Sequence, residues 1–398
     1  MIVGGRFHLS YCSNIHPGET WHELSAVLAS SLPRVRALLD HRGPFGVGLR
    51  LSAQAAQTLE QPEELDAFRR FLRAGDYYVP TINGFPYGAF HGQRVKEQVY
   101  RPDWREDARL DYTNRLARLL AALLSDGPEI DGSVSTVPGA FRSEIDSRED
   151  VTAMATRMIG HAAELVSIRE RTGVTITLAI EPEPACYIET VDDAIRFFHE
   201  QLFDAALVQQ VARDKQSSLT VEDVRRHIGL CFDACHMAVE FEEPGAAIDR
   251  LTAAGIRIGK VQISSALRVD PADRNAMRAL DAFAEGTYLH QVVECSPAGL
   301  TRYVDLPEAI AAARAAAVDS GEWRVHFHVP IFLAEMQQFG TTQPQLAATI
   351  EALKQRASCP YLEVETYTWD VLPPEYRTSD VCTAIARELS WVKAQLDT

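Results

Sequence analysis

The chain has 398 residues, with 39 Lys+Arg against 55 Asp+Glu for a formal charge of −16, and is 46% hydrophobic and 24% charged. That is the composition of a folded globular protein and excludes a disordered or fibrous chain. The acidic excess is spread along the sequence without a basic patch, which excludes nucleic acid and an anionic membrane surface as primary partners.

No apolar run approaches the roughly 18 residues that span a bilayer, and Met1 to Ser10 lacks the apolar core of a signal peptide, so no membrane insertion and a cytoplasmic location are expected. The cysteines (Cys12, Cys186, Cys231, Cys235, Cys295, Cys359 and Cys382) are odd in number and form no Cys-x-x-Cys pair. This argues against a disulfide framework and a thiolate zinc site. Cys231 and Cys235, at Cys-x3-Cys spacing, carry little metal signal alone.

Short β-type runs alternate with longer amphipathic stretches from end to end, the pattern of a parallel sheet with helical crossovers. Strands are expected at 7–11, 45–51, 77–82, 133–137, 175–180, 228–232, 256–263, 324–328 and 361–365. This is one run more than an eight-stranded barrel requires. Thr20 with Glu23, Asp103 with Glu106, Thr190 with Asp193 and Thr220 with Asp223 have capping-box spacing at expected helix starts. Gly75 and Gly173 sit where a left-handed C-cap is expected. Leu110, Leu116, Leu119, Leu120, Leu123 and Leu124 mark the buried stripe of one helix; Met154, Met158, Ala162, Leu165 and Ile168 mark that of another.

Eight strand-helix repeats take about 250 residues, which leaves a large excess. With no linker or low-complexity tract to divide the chain, the expectation is an α/β protein with a single (β/α)8 domain over 1–398. The excess is assigned to two loops on the ligand-binding face. One follows the third strand at about 83–104 (NGFPYGAFHGQRVKEQVYRPDW). The other follows the seventh at about 264–360, with the surplus strand, a YLHQVV run and an Ala-rich helix near 306–320.

Parallel barrel strands end at one rim, so polar residues directly after apolar strand cores converge there. TITLAIEPEP places Glu181 at such an end, and Pro182 and Pro184 stop further pairing. GLCFDACHMAVEFE supplies Asp233 with His236 three residues on; GKVQISSA supplies Gln262, WRVHFHVP His326 and His328 on one side of a strand, and YLEVETYTWD Glu365. Carboxylates, imidazole and an amide form a set suited to Mn²⁺, Zn²⁺, Mg²⁺ or Fe²⁺. Taken singly, each residue also has a structural reading, as a helix cap or a hydrogen-bonded core histidine.

Glu183 lies on the face of Glu181 if the backbone stays extended, as a substrate contact or a salt-bridge partner. His16 follows the first strand and faces the mouth or packs beneath it; His91 in the first long loop closes over the mouth or lies on the surface. In that loop Phe85, Tyr87, Phe90 and Tyr100 form either a ligand wall or a seal on the rim, with Arg94 and Lys96 as local positive charge for an anionic ligand. His22, His161, His199 and His227 fall in helical stretches and are not expected as ligands. No GxGxxG after a strand, GxxxxGK[ST] or GxSxG is present. Paired acids alone would suit a glycosidase, but Asp233 with His236 favours metal chemistry.

IEPEP, FDACH and the late VET resemble the strand-end motifs of the xylose-isomerase-like TIM barrels, which include sugar isomerases, ketose 3-epimerases and the endonuclease IV type of DNA repair enzyme. The resemblance implies metal binding by Glu181, Asp233 and Glu365, and makes His236, at the Asp-x-x-His position, a substrate contact or a ligand. LSYCSNIHPGETW, FGVGLRLS, NGFPYGAFH, CFDACHMAVEFE, HFHVP and VETYTWDVLP further resemble the E protein of the ebo gene cluster (EboE), a family labelled metabolite traffic protein. Gln262 departs from the His or Asp that isomerases and epimerases often carry after the seventh strand, a place His326 or His328 would then fill.

Two functions follow from the resemblance. One is a metal-dependent isomerase or epimerase of a small polyhydroxylated or hydroxy-carbonyl metabolite, with Glu181 and Glu365 moving protons from opposite sides. The other is a metabolite carrier that hands its ligand to proteins of the same gene cluster. An endonuclease IV-like activity conflicts with the acidic charge.

Overall fold

The computed structural model describes residues 1–397 except 93, 126, 316–320 and 378. Eight parallel strands form the core: β1 (Phe7–Tyr11), β2 (Phe45–Arg50), β3 (Tyr77–Asn83), β4 (Gly132–Thr136), β5 (Ile176–Ile180), β6 (Ile228–Asp233), β7 (Ile258–Ile263) and β8 (Tyr361–Val364). They neighbour one another in chain order from β2 to β8, and β8 then pairs with β1. Between β1 and β2 the ring closes on one parallel bridge, Cys12 with Gly48. Every residue of β2, β4, β5, β6 and β7 is buried, as expected for strands covered on one face by helices and on the other by the barrel interior. The Ile2–Val3 strand adds an antiparallel pair to β1.

The helices start largely where the spacing predicts. Capping boxes from Thr20, Thr190 and Thr220 open Trp21–Leu38, Val191–Phe197 and Val221–His227. Ser147 with Asp150 opens Arg148–Thr172 in the same way, and Gly173 ends it at φ 76. Two expectations are corrected. Gly75 is the last residue of Pro62–Gly75, and the left-handed cap is Asp76 at φ 52, a conformation that a short polar side chain tolerates. Asp103 is not a cap: Asp107–Leu124 begins after Glu106, and the buried Asp103 carboxylate instead accepts from the backbone and guanidinium of Arg105.

The second insertion exceeds one surplus strand. It carries a six-stranded antiparallel sheet in the order Gly299–Tyr303, Val292–Ser296, Glu322–Val325, Leu267–Val269, Phe339–Thr341, Glu335–Met336. The expected strand at 324–328 stops at Val325, because Phe327 N turns back onto Val325 O at 2.7 Å. His326 and His328 therefore lie on the segment that returns from this sheet to the barrel. The insertion also ends earlier than expected, at about 342, since helix Gln343–Arg356 packs in the outer layer against Pro244–Ala253 and the C-terminal helix Val381–Asp397. The Ala-rich helix is Leu306–Ala315, and its expected continuation over 316–320 lies outside the described residues.

Inside the barrel the packing is partly ionic. Lys260 of β7 and Glu363 of β8 pair at 3.0 Å, each 1% exposed. Gly48 of β2 makes room for them, since a side chain there would collide with Glu363 Oε2. The cysteines are all free.

Candidate functional site

The strand-end rule brings the acidic residues together. Glu181 follows β5, with its N–H on Thr136 O at 3.1 Å; Asp233 ends β6; Glu365 follows β8, with its N–H on Ile263 O at 3.1 Å. One carboxylate oxygen from each lies within 4.8 Å of those of the other two. Asp233 also caps helix Ala234–Val239: its Oδ1 accepts His236 N at 3.0 Å and the Ser264 hydroxyl at 2.7 Å. Glu365 Oε1 accepts the side-chain amides of Asn14 at 2.8 Å and Asn83 at 2.9 Å. Glu181 Oε2 and Asp233 Oδ2 are buried without a partner, as are both amide atoms of Gln262. Gln262 is in register with Asp233 on β6 and Glu363 on β8, so it faces the barrel interior with them.

This geometry sets the charge states. Burial, reinforced by the Asp233 carboxylate, pushes the Glu181 carboxyl up to about 8. Burial with Glu181 and Asp233 also pushes Glu365 well above the usual carboxylate range. For Asp233, burial is outweighed by His236, His328 and the hydrogen bonds of its cap, and its carboxyl stays low. His236 is pushed up because Asp233, Glu183 and Glu181 outweigh its burial.

The three histidines meet beside this cluster. His236 Nε2 is 3.1 Å from His326 Nε2, which is 3.3 Å from His328 Nε2. Burial, with the neighbouring imidazoles, holds His326 well below its ordinary range, and burial brings His328 down to about 4. Glu183 stands on the other side of His326: its Oε1 accepts Tyr100 OH at 2.8 Å and Gln291 Nε2 at 3.4 Å, and burial raises its carboxyl.

A cavity of about 60 Å³ opens onto Glu181, Glu183, His236, His326 and Glu365, walled by Phe85, Phe90, Tyr100, Tyr288 and Tyr367. Phe85, Phe90 and Tyr100 come from the first loop, as expected. His16 lies outside the lining, buried with Nε2 3.2 Å from Tyr11 OH. His91 also lies outside it, and ties the loop down by donating to Asn14 O at 2.6 Å and accepting from Tyr288 OH at 3.0 Å. Arg94 is exposed and does not reach the cavity; the cation on the wall is Lys96, held by Asp305 at 2.7 Å. Tyr87 packs on Tyr112 instead. His161, His199 and His227 bond to Asn114, Ala254 O and Ile176 O, away from the site.

Asn14, Asn83, Gln291, Tyr288, Tyr367 and the Lys260 pair escaped the sequence reading. Asn83 ends β3 and obeys the same strand-end rule. Gln291, Tyr288 and Asn14 carry no such signal, since the connecting segments that hold them have no period.

No family model and no curated protein matches the chain. Among solved structures it is similar to a xylose isomerase-like TIM barrel protein from Mycobacterium smegmatis in complex with magnesium, at 13% identity and TM-score 0.53 over 100% of this chain and 99% of that one. It is also similar to an L-ribulose 3-epimerase (12%, TM-score 0.49, 100% and 95%) and to the IOLI protein with a bound zinc atom (13%, TM-score 0.46, 98% and 98%). With the strand order above, the first of these shows the fold: an α/β xylose isomerase-like (β/α)8 TIM barrel with long insertions after β3 and β7. Among the described residues, no helix is long and apolar enough to cross a membrane.

Proposed function

We propose that the chain is a divalent-metal-dependent isomerase or epimerase acting on a small polyhydroxylated or hydroxy-carbonyl metabolite, working as one barrel unit whose two insertions form the mouth. The observation that carries this reading is the pair of buried, unpartnered oxygens, Glu181 Oε2 and Asp233 Oδ2, in a triad completed by Glu365. Buried carboxylate oxygens without a hydrogen-bond partner are costly, so such a triad fits a cation. Glu181, Asp233 and Glu365 would hold it, with Gln262, His236 or one of His326 and His328 beside them. A bound divalent ion would polarise substrate oxygens as a Lewis acid. The magnesium bound by the Mycobacterium smegmatis barrel supports the same class of ion here.

The protein groups divide the remaining work. Glu181, whose Oε2 is buried in the triad without a partner, would take and return the substrate proton. Glu365 has Oε1 fixed by two amides, so Oε2 is its working atom. His236 and Glu183 face the cavity as substrate contacts, and the aromatic wall limits water. Proton exchange at a substrate C–H in deuterated water tests the reading: a panel of ketoses and aldoses should include one that exchanges with wild type and not with Glu181→Gln.

A carrier is the second reading, favoured by Gln262, a neutral group where an ionisable ligand would strengthen metal binding. The EboE-like motifs support a place in an ebo-type metabolite traffic pathway for either reading, with proteins of the same cluster as partners. A ligand that binds tightly without exchange would favour carriage.

A further inference from the structure

We propose that Lys96 is the specificity-determining residue of the cavity and selects a metabolite that ends in a carboxylate, a polyhydroxy acid in place of a neutral sugar. This deepens the reading above and rests on it in one respect, since it takes the cavity as the ligand site.

The cavity is one-sided in charge. Glu181, Glu183 and Glu365 line it, and among the described residues Lys96 is the one lysine or arginine on its wall. Lys96 is 6% exposed, so its ammonium has lost most of its water and needs partners. It donates to Asp305 Oδ2 at 2.7 Å and to the Glu285 carbonyl at 3.2 Å. An ammonium has three N–H donors, so one remains for a ligand. Asp305 does not depend on Lys96 alone, because its Oδ1 accepts His290 N at 3.1 Å and Leu306 N at 3.0 Å. Backbone N–H groups thus take up part of the aspartate charge, and the pair leaves positive potential on the lysine side.

The backbone carries an independent sign that this placement is imposed. Lys96 stands at φ 41, in the left-handed region that an L side chain disfavours. The N–H groups of Val95 and Lys96 both donate to Thr287 O, at 2.8 and 3.0 Å, and hold it there. Strain of this kind persists where the surroundings over-determine it, typically at ligand clamps. Its effect here is to bring Lys96 onto the cavity wall while Arg94, two residues earlier, stays exposed.

Size and charge then choose the ligand class. In a cavity of about 60 Å³, a ligand that reaches Lys96 also meets Glu181 and His236. A carboxylate matches one ammonium with one donor to spare. A phosphate carries more charge and is held by several donors, from arginine forks or the backbone N–H groups of a helix start. The wall offers it a single lysine beside three carboxylates, which repel a dianion more than a monoanion. A neutral polyol would leave the third N–H of Lys96 without an ionic partner.

Erythritol, D-erythronate and erythritol 4-phosphate share a four-carbon body and differ at one end, so isothermal titration of Mg²⁺-saturated protein with each reads the preference directly. Wild type should bind D-erythronate about tenfold or more tightly than either of the others, the worth of one charged hydrogen bond. Lys96→Met should abolish that preference. Asp305→Asn keeps an acceptor for His290 N and Leu306 N and removes the competing charge, so it should keep or increase the preference. A pair that merely ties the first loop to the second insertion would make the two variants alike. If a single variant does not fold, Lys96→Met with Asp305→Asn strands no charge and should bind erythritol as wild type does, without preferring the acid. A preference that survives Lys96→Met would place the acid on the metal, and tighter binding of the phosphate, or no preference in wild type, would equally overturn the proposal. Proton exchange into a neutral ketose by wild type without a preference for D-erythronate would sink this assignment and leave the isomerase reading standing; a Lys96-dependent preference without exchange into any sugar or acid would do the reverse.

Discussion

Lys260 Nζ lies 3.0 Å from Glu363 Oε1 inside the barrel, each residue two positions before its strand-end neighbour Gln262 or Glu365. The pair thus forms the layer directly beneath the candidate site. Removing one partner strands the other in a buried setting, so Glu363→Leu or Lys260→Met alone should destabilise the protein by about 3–5 kcal/mol. The double variant Lys260→Met with Glu363→Leu should recover most of that loss, since it removes both charges and keeps volume. Denaturant unfolding of the three variants measures the difference.

Asn14 and Asn83 both donate to Glu365 Oε1. They orient the carboxylate from the wall of the same cavity, so Asn83→Ala should lower divalent-ion affinity by about 10–100-fold with the fold retained. Competition titration against a chromogenic chelator, beside a far-UV circular dichroism spectrum, checks both halves. Unchanged affinity would remove Asn83 from the support of the site.

Glu388 lies in the C-terminal helix, and its Oε1 accepts from Thr366 Oγ1 at 2.7 Å and Ile331 N at 3.2 Å. Burial pushes its carboxyl up from 4.5 to about 7. The unfolded chain releases this proton first, so stability from this group falls as pH rises from about 4.5 to about 7, and the penalty is complete above the folded value. Glu388→Gln keeps an oxygen acceptor for both bonds and cannot ionise. It should stabilise the protein at pH 8 by on the order of 3 kcal/mol relative to wild type, and change little at pH 4. Thermal melts at the two pH values test the sign.

Phe90 packs on Tyr288 at 5.0 Å and Tyr367 at 5.3 Å between ring centroids, joining the first loop to the second insertion and to the segment after β8. Phe90→Ala should speed amide hydrogen exchange in 84–92 and leave metal affinity unchanged, because the metal-facing groups come from other segments. Arg94→Ala, at an exposed position outside the cavity, should change neither. Faster exchange in the Arg94 variant would contradict its placement.

The polar residues of β5, β6 and β8 were legible without coordinates because parallel pairing and an apolar strand core together send the next residue to one rim. That logic places Glu181, Asp233 and Glu365 within reach of one another, and it extends to Asn83. The capping boxes at Thr20, Thr190 and Thr220 were legible for a related reason: they are contacts across three residues, and local spacing carries them.

Tertiary structure alone decided the rest. Nothing local says that residues 264–342 fold into a six-stranded sheet, because its antiparallel pairs depend on which short strands meet. The meeting of His236 with His326 spans 90 positions, and that of Lys260 with Glu363 spans 103. Lys96 rather than Arg94 reaches the cavity because Thr287 O takes the backbone N–H groups of Val95 and Lys96 and turns that stretch of the loop inward. Periodicity assigns a residue to a face or an end of its own element; which distant groups it meets there is set by loop paths and by packing between elements.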